Sequence, residues 1–160
     1  MLLSRKYNKN LLTTKPNLQI HGIDIAPRMI ALASINNPSA RFKVVDTRKL
    51  DTFDVKFDAI VCGFCLPYLS DTDCSKRIID AIKIVKENGV LYLSFLAGNY
   101  ENSSFKSGSS SDRTNCYYLN LKSLETNLLN YHFEIIKTFG INYPTGDQFE
   151  VHNVVIARKK

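Results

Sequence analysis

Residues 21–30 of this chain read HGIDIAPRMI, and this stretch decides the fold. Apolar side chains alternate over residues 18–23, which predicts a short strand that ends on the carboxylate of Asp24. Pro27 suits the first turn of a helix, and Met29 starts the apolar face of that helix. The stretch therefore predicts a strand, an acid and a helix in close succession.

The remainder of the chain alternates between strand and helix patterns. Residues 57–62 form a nearly continuous apolar run, which is typical of a central parallel strand covered on both faces. The last two strand patterns lie too close together for a helical crossover, so they predict an antiparallel pair, and the polar alternation of the final strand suits a sheet edge. This order predicts an α/β domain with a mostly parallel sheet and helices on both faces. The remaining predicted elements are strands near residues 42–45, 90–95, 133–139 and 151–157, a helix from residue 71 that closes at Lys86 and Gly89, and a helix over residues 121–130.

Length and composition predict one domain over residues 1–160, because a chain of this size can bury a substantial core. Residues 99–115 are rich in serine and poor in apolar side chains, which predicts a flexible loop. The chain has 44% hydrophobic and 22% charged residues, and no apolar run reaches the roughly 20 residues of a membrane span. The first residues lack the order of a secretory signal. We therefore expect no membrane association and a cytoplasmic location.

The cysteines and the charged residues point to no special chemistry. Four cysteines are too few for a disulfide scaffold, so we expect reduced thiols. Cys62 and Cys65 form a C-x-x-C without a second such pair, so no metal site is predicted, and zinc or redox chemistry is the minor alternative. The net charge of +6 is spread along the chain, which indicates a solvated surface instead of a nucleic-acid site.

Two acids follow predicted parallel strands. Ligands bind beyond the carboxyl ends of such strands, and Asp24 and Asp46 stand at two of these ends. A carboxylate at the position of Asp24 can accept hydrogen bonds from both hydroxyls of a ribose, and Asp46 could accept from an adenine amino group. The alternative is that each acid caps the helix or turn that follows it.

The same stretches resemble a known family. Residues 21–30 resemble the segment of class I (Rossmann-like) S-adenosylmethionine-dependent methyltransferases in which an acid ends the second strand and a Pro-x-Met helix follows. Residues 45–50 (VDTRKL), 57–62 (FDAIVC) and 86–91 (KENGVL) resemble the family's next acidic loop, its fourth strand and the turn into its fifth. The ordered match spans roughly residues 10–158. It implies a three-layer α/β fold, S-adenosyl-L-methionine as cofactor, and methyl transfer to an acceptor.

The resemblance also implies roles for individual residues. The expected cofactor-binding residues are Asp24 for the ribose, Ile25 beside the adenosine, Asp46 and Thr47 for the adenine, and Phe64; the expected wall near the methyl group is Phe64, Leu66, Pro67 and Tyr68. Many relatives carry a polar side chain where Pro67 and Tyr68 stand, so no catalytic residue is assigned, and Tyr68 is expected to be a partly buried structural residue. A small-molecule acceptor is favoured, while nucleic-acid and protein acceptors stay open.

One departure from the family is clear in the sequence. Family members begin with a strand and a glycine-rich loop of the type E/D-x-G-x-G-x-G, whereas the first of the seven glycines here is Gly22. Residues 7–16 resemble the end of the helix that normally follows that loop. The resemblance therefore implies an N-terminally truncated domain that lacks the usual first strand, between the strands that end at Asp24 and Cys62. Unpaired sheet edges of this kind would favour self-association.

The departure keeps other functions open. A catalytically inactive remnant could act as a binding or interaction module. A fragment of a nucleotide-dependent oxidoreductase is a weaker alternative, because a dinucleotide fold needs a second βαβαβ half for which the chain has no room. Whether the chain is an enzyme, and which acceptor it would use, is not fixed by the sequence.

Overall fold

The computed structural model of the chain describes residues 14–15, 17–63, 65–107, 113–145 and 148–160. It divides into two compact units, Met1–Thr52 and Phe53–Lys160, where the sequence predicted a single domain. Each unit is described by itself below.

The first unit contains a parallel two-stranded sheet. Its elements are β1 (His21–Asp24), α1 (Pro27–Asn36), β2 (Arg41–Val44) and an irregular 3-10 segment (Thr47–Thr52). Pro27 occupies the first turn of α1, as predicted, and the helix ends where the N–H of Asn37 donates to the carbonyl oxygen of Ala33. The sheet register sets Asp24 opposite Val44. The strand, acid and helix predicted from residues 21–30 are therefore confirmed.

The second unit contains the larger sheet. Its strands follow the order β3-β4-β9-β8, and β7 pairs with the carboxyl end of β4. Strands β3 and β7 run parallel to β4, whereas β9 runs antiparallel to both β4 and β8. The mostly parallel sheet with an antiparallel C-terminal pair is thus confirmed. The elements are β3 (Phe57–Cys62), a 3-10 helix (Leu66–Tyr68), α2 (Asp71–Ile84), β4 (Val85–Ala97), a 3-10 helix (Tyr100–Asn102), β5 (Ser104–Ser107), β6 (Arg113–Cys116), β7 (Tyr118–Leu119), α3 (Leu121–Asn130), β8 (Phe133–Thr145) and β9 (Gln148–Lys159).

The core of the second unit lies around the middle of β4 and β9. Phe95 is fully buried on β4, and Val154 and Val155 are buried on β9. The final strand β9 is therefore an interior strand, and the prediction that it forms an edge is wrong. The edge of this sheet is β8, which pairs with β9 and with no other strand among the described residues.

The junction between α2 and β4 also differs from its prediction. The helix ends at Ile84 and not near Gly89, because the buried Val85 already pairs with Phe57 of β3. The turn is made instead by Asn88, whose φ of 62° lies in the left-handed region. A Cβ at Gly89 would stand 2.7 Å from the carbonyl oxygen of Lys86, so the chain approaches too closely there for a side chain.

The serine-rich segment is only partly irregular. Where a flexible loop was expected, β5 and β6 form an antiparallel pair, while residues 108–112 lie outside the described residues. In the portions of the chain that the structure describes, none of the helices is long and apolar enough to cross a membrane. The absence of the family's first strand between β1 and β3 stays a prediction. Self-association through unpaired sheet edges also stays a prediction.

Candidate functional site

In the first unit, two acids lie at one edge of the sheet. Strands β1 and β2 are parallel and in register, so Asp24, which ends β1, and Asp46, which follows β2, share the carboxyl edge. The N–H of Val45 donates to the carbonyl oxygen of Asp24 at 3.0 Å, which ties the two strand ends together. The structure therefore brings the predicted ribose and adenine acids to the same edge.

The carboxylate of Asp24 is divided between two environments. Its Oδ1 accepts a hydrogen bond from the N–H of Ala26 at 2.8 Å, just before helix α1. Its Oδ2 accepts no hydrogen bond from any residue within the described ranges. The capping alternative is thus correct for one oxygen, and the other oxygen is available to a ligand.

The carboxylate of Asp46 is more heavily engaged. It accepts from the N–H of Arg48 at 3.0 Å, and the Arg48 guanidinium donates to both of its oxygens, at 2.6 Å in the shortest contact. Hydrogen bonds from the Arg48 side chain hold the pKa of Asp46 below its ordinary value. Each carboxylate oxygen can accept more than one hydrogen bond, so a further donor can still bind.

The two neighbours of these acids differ in exposure. Ile25 follows Asp24 directly and is 61% exposed. Thr47 is partly buried at the start of the 3-10 segment. The contact of Ile25 with the adenosine stays a prediction.

In the second unit, a disulfide bond follows β3. Cys62 and Cys65 are bridged, with a Cα–Cα distance of 6.1 Å. The prediction of reduced thiols is therefore wrong for this pair. The strand ends at Cys62 and the chain turns back at once, so two sulfur atoms three positions apart come within bonding distance.

The predicted methyl-pocket wall follows the bridge. Leu66 and Pro67 are buried in the 3-10 helix, with Leu66 at 0% exposure, while Phe64 lies outside the described residues. Tyr68 is 60% exposed, so the expectation that it is a partly buried structural residue is wrong. The short helix turns the Tyr68 side chain outward because its two predecessors occupy the core. The carbonyl oxygen of Pro67 accepts from the N–H of Tyr117 at 2.8 Å, which links the wall to the segment before β7.

A polar cluster at the carboxyl end of β4 was missed by the sequence analysis. Tyr118 donates its hydroxyl to Oε1 of Glu150 at 3.3 Å, and Nε2 of His152 lies 3.5 Å from Oε2 of Glu150. The ring of Tyr143 packs 4.6 Å from the His152 ring. Because β9 is antiparallel to β4, the first residues of β9 lie at the carboxyl end of β4, where His152 pairs with Leu96. Glu150 and His152 are two positions apart, so a predicted antiparallel strand could have placed both on one face.

Two adjacent tyrosines stand at β7: Tyr117 precedes the strand, and Tyr118, a member of this cluster, is its first residue. Tyr117 stacks on Tyr100, with ring centroids 5.8 Å apart and an interplanar angle of 12°. Tyr118 packs against Gly98, where a Cβ would meet the tyrosine ring at 2.8 Å. Both side chains are partly buried, so Tyr117 and Tyr118 pack against neighbouring segments of the second unit.

Comparison with known proteins supports one family. The profile of a family described as "Methyltransferase domain" matches residues 6–89, which is more than half of the chain. None of the curated proteins matches the sequence.

Solved structures with the same fold come from several organisms. An S-adenosylmethionine-dependent methyltransferase from Methanosarcina mazei superposes with a TM-score of 0.75 at 21% identity, covering 94% of this chain and 86% of that one. One from Clostridium acetobutylicum has a TM-score of 0.70 at 15% identity, covering 95% and 78%. The 1,6-didemethyltoxoflavin-N1-methyltransferase of Burkholderia thailandensis has a TM-score of 0.67 at 15% identity, covering 98% and 68%. These similarities confirm the predicted Rossmann-like methyltransferase fold.

Proposed function

The chain belongs to the class I S-adenosylmethionine-dependent methyltransferase family, and on that premise we propose that it transfers a methyl group from S-adenosyl-L-methionine to a small-molecule acceptor. The single observation that carries the proposal is that only one of the two carboxylate oxygens of Asp24 accepts a hydrogen bond from the described residues. One oxygen is held by the N–H of Ala26, which fixes the orientation of the side chain, and the other accepts no hydrogen bond from the described residues. Asp24 is the last residue of β1 and so stands at the carboxyl edge, where ligands of such sheets bind.

The neighbouring residues fit the adenosine part of the cofactor. Asp24 would accept from the ribose hydroxyls through Oδ2, and the exposed Ile25 would pack beside the adenosine. Asp46 and Thr47 would hold the adenine, because Arg48 fixes the Asp46 carboxylate while leaving acceptor capacity on its oxygens. An ionised carboxylate makes stronger hydrogen bonds than a neutral acceptor, which suits Asp24 and Asp46 to these roles.

The second unit supplies the residues proposed for the acceptor. S-adenosylmethionine, when bound, provides a methyl group on a positively charged sulfur. Leu66, Pro67 and Tyr68, with Phe64, would form the wall that excludes water, and Glu150 with His152 would bind and orient an acceptor N–H or O–H group. Glu150 can also hold a proton that the acceptor loses. Positioning and exclusion of water would supply much of the catalysis.

Burial of the polar cluster supports a small acceptor. The side chains of Glu150 and His152 are only 20% and 14% exposed, so a large rigid surface would reach them poorly. The structurally similar Burkholderia protein is, by its name, a methyltransferase of 1,6-didemethyltoxoflavin, which is a small molecule. Both observations favour a small molecule over a nucleic acid or a protein.

Calorimetric titration of the 160-residue chain with S-adenosylhomocysteine tests the cofactor site. The sharpest variant is Asp24→Asn, which keeps an oxygen for the N–H of Ala26 and removes the charge that would favour the ribose. We expect its affinity to fall roughly 10- to 100-fold, because hydrogen bonds to charged groups contribute more than neutral ones. Asp58→Asn is the matched control, since this exposed carboxylate stands at the opposite, amino end of β3.

The possible outcomes separate the functions. Absence of S-adenosylhomocysteine binding to the folded chain would overturn the proposal. Binding that Asp24→Asn leaves unchanged would overturn the role of Asp24. Binding of NADH in a parallel titration would instead favour the nucleotide-dependent oxidoreductase.

A second candidate function is a non-catalytic binding module. A folded chain that binds neither S-adenosylhomocysteine nor NADH would support this candidate. Sedimentation of the same sample would then test self-association.

A further inference from the structure

The Cys62–Cys65 disulfide stands between the end of β3 and the proposed methyl-pocket wall. Cys62 is the last residue of β3 and is 2% exposed. Cys65 is partly exposed and immediately precedes the 3-10 helix Leu66–Tyr68. The bridge therefore joins a buried strand end covalently to the start of the wall.

Three backbone hydrogen bonds depend on the position of that short helix. The N–H of Tyr68 donates to the carbonyl oxygen of Cys65 at 3.2 Å, and the N–H of Leu69 donates to that of Leu66 at 3.0 Å. The N–H of Tyr117 donates to the carbonyl oxygen of Pro67 at 2.8 Å. A change at Cys65 thus reaches the wall and, through Tyr117, the strand that follows.

We propose that Cys62 and Cys65 form a reversible thiol–disulfide exchange site for a dithiol reductant, and that the bridged state holds the 3-10 helix Leu66–Tyr68 in place against β3. The consequence for cofactor affinity rests on the proposed function. The exchange itself rests only on the bridge and its exposure.

The difference in exposure sets the order of the chemistry. A thiolate of the dithiol attacks Sγ of Cys65, because Sγ of Cys62 is buried; the Cys62–Cys65 bond breaks, and Cys62 leaves as a thiolate that takes up a proton. The second thiolate of the reductant then attacks the reductant sulfur of the mixed disulfide and releases Cys65 as a thiol. Two electrons and two protons pass from the dithiol to the bridge, and the reductant becomes a cyclic disulfide.

The two other cysteines serve as internal references. Cys74 on α2 is 3% exposed, and burial together with the charge of Asp71 raises the pKa of its thiol to about 12. Cys116 is also buried, and neither residue is in a disulfide. The nucleophile in such exchange is the thiolate, so these thiols should react slowly in the folded chain.

The first experiment counts thiols by mass spectrometry. The chain is equilibrated with glutathione disulfide, treated in its folded state with or without dithiothreitol, and then alkylated in denaturant. We expect two alkylated cysteines without dithiothreitol and four after it, with the gain mapped to Cys62 and Cys65. Four alkylated cysteines without reductant, or two after folded-state reduction, would overturn the exchange site.

The second experiment measures amide hydrogen exchange in both redox states. After reduction, the amides of Tyr68, Leu69 and Tyr117 should exchange roughly 5- to 30-fold faster. The reason is that a disulfide closing a short loop stabilises the closed conformation by a factor of about this size. The amide of Leu124, which donates to Asn120 in α3, should not change. Equal exchange rates of the three amides in the oxidised and reduced chains would overturn the proposal that the disulfide holds the 3-10 helix Leu66–Tyr68 in place.

Variants distinguish the bridge from general effects of reductant. Cys65→Ser keeps the buried Cys62 thiol and should resemble the reduced chain with or without dithiothreitol. Cys74→Ser should retain the full redox response, and Cys116→Ser provides the same control on a different element. A redox response that persists in folded Cys65→Ser would assign it to another group and overturn the proposal.

Titration with S-adenosylhomocysteine links the site to methyl transfer. We expect the dissociation constant to rise roughly 5- to 30-fold on reduction, because binding must then order the wall. If the thiol counts and amide exchange behave as expected while neither state binds S-adenosylhomocysteine, the proposed function fails and the exchange site stands. If both states bind it equally, the link between the bridge and the cofactor pocket is overturned.

Discussion

The small sheet of the first unit and the large sheet of the second unit are stabilised by contacts of different sequence range. Strands β1 and β2 are joined through a single helix, and the carboxylates at their ends contact residues only two positions away. In the large sheet, β4 pairs with β3, β7 and β9, and the cluster of Tyr118, Glu150 and His152 comes from separate strands. The carboxylates at the edge of the small sheet are thus held by residues close in sequence. The polar cluster of the large sheet is held by strands that are distant in sequence.

The largest expected effect is a loss of unfolding free energy when a phenylalanine of the large sheet is replaced by alanine. The same substitution in the small sheet provides the comparison. Phe95→Ala removes a fully buried ring from the carboxyl half of β4 and should lower the free energy of unfolding by about 3–5 kcal/mol. Phe42→Ala removes a partly buried ring from β2 and should cost roughly 1–2 kcal/mol. Urea unfolding followed by circular dichroism measures both. Equal losses would contradict the view that the large sheet carries most of the packing.

A smaller effect is expected at the start of the large sheet. In Gly89→Ala, the new methyl group would meet backbone at the carbonyl oxygens of Lys86 and Asp58, at 2.7 Å and 3.1 Å, so the chain must shift. We expect a loss of about 1–3 kcal/mol by thermal unfolding. Gly140→Ala is the control, because its nearest atoms belong to the side chains of Asn153 and Val151, which can move. A larger loss at Gly140 would contradict this explanation.

Substitutions of Asp24 test the local hydrogen bond at the carboxyl edge of the small sheet. Asp24→Ala removes the acceptor for the N–H of Ala26 and should lower stability by about 0.5–1.5 kcal/mol, the usual net contribution of one hydrogen bond. Asp24→Asn keeps that acceptor and should stay close to the parent chain. Chemical denaturation of the three proteins gives the ranking. If Asn destabilised as much as Ala, charge instead of capping would be responsible.

The smallest effect concerns the pair of Asp46 and Arg48. Arg48 lowers the pKa of Asp46 below its ordinary value of 3.8, so the pair contributes stability above that pH and loses it as the pH falls through the lowered pKa. Because Arg48 is half exposed, the contribution should stay below about 1 kcal/mol. In Arg48→Gln, NMR titration should show the Asp46 pKa rising toward its ordinary value. An unchanged titration would show that the backbone N–H of Arg48 alone sets the pKa.

The same contrast explains what the sequence could predict. Pro27, Asn37 and Asp24 act on residues within four positions, so the start of α1, its end and the turn before it are visible in the sequence. The family resemblance likewise rests on such local stretches. The fold class and the antiparallel C-terminal pair could be predicted because they follow from the order of apolar segments.

The errors fall where a residue depends on distant partners. The interior position of β9 depends on β4, with which it pairs from His152 to Arg158. Glu150 and His152 acquire a possible role only because that pairing brings them to the ligand-binding edge. The exposure of Tyr68 depends on the burial of Leu66 and Pro67 in the core. The spacing of Glu150 and His152 predicts a shared face of the strand, but the partner strand and the exposure of Tyr68 depend on residues far away in the sequence.

The interior position of β9 has a consequence for synthesis of the protein. During translation β4 emerges long before β9, yet β9 separates β4 from β8 in the finished sheet. Until residues 148–159 have left the ribosome, one long side of β4 and one of β8 lack their final partner. The strand that is synthesised after β4 and β8 therefore takes an interior position between them. Until β9 is available, the exposed side of β4 can pair with another polypeptide, which would lead to misassembly.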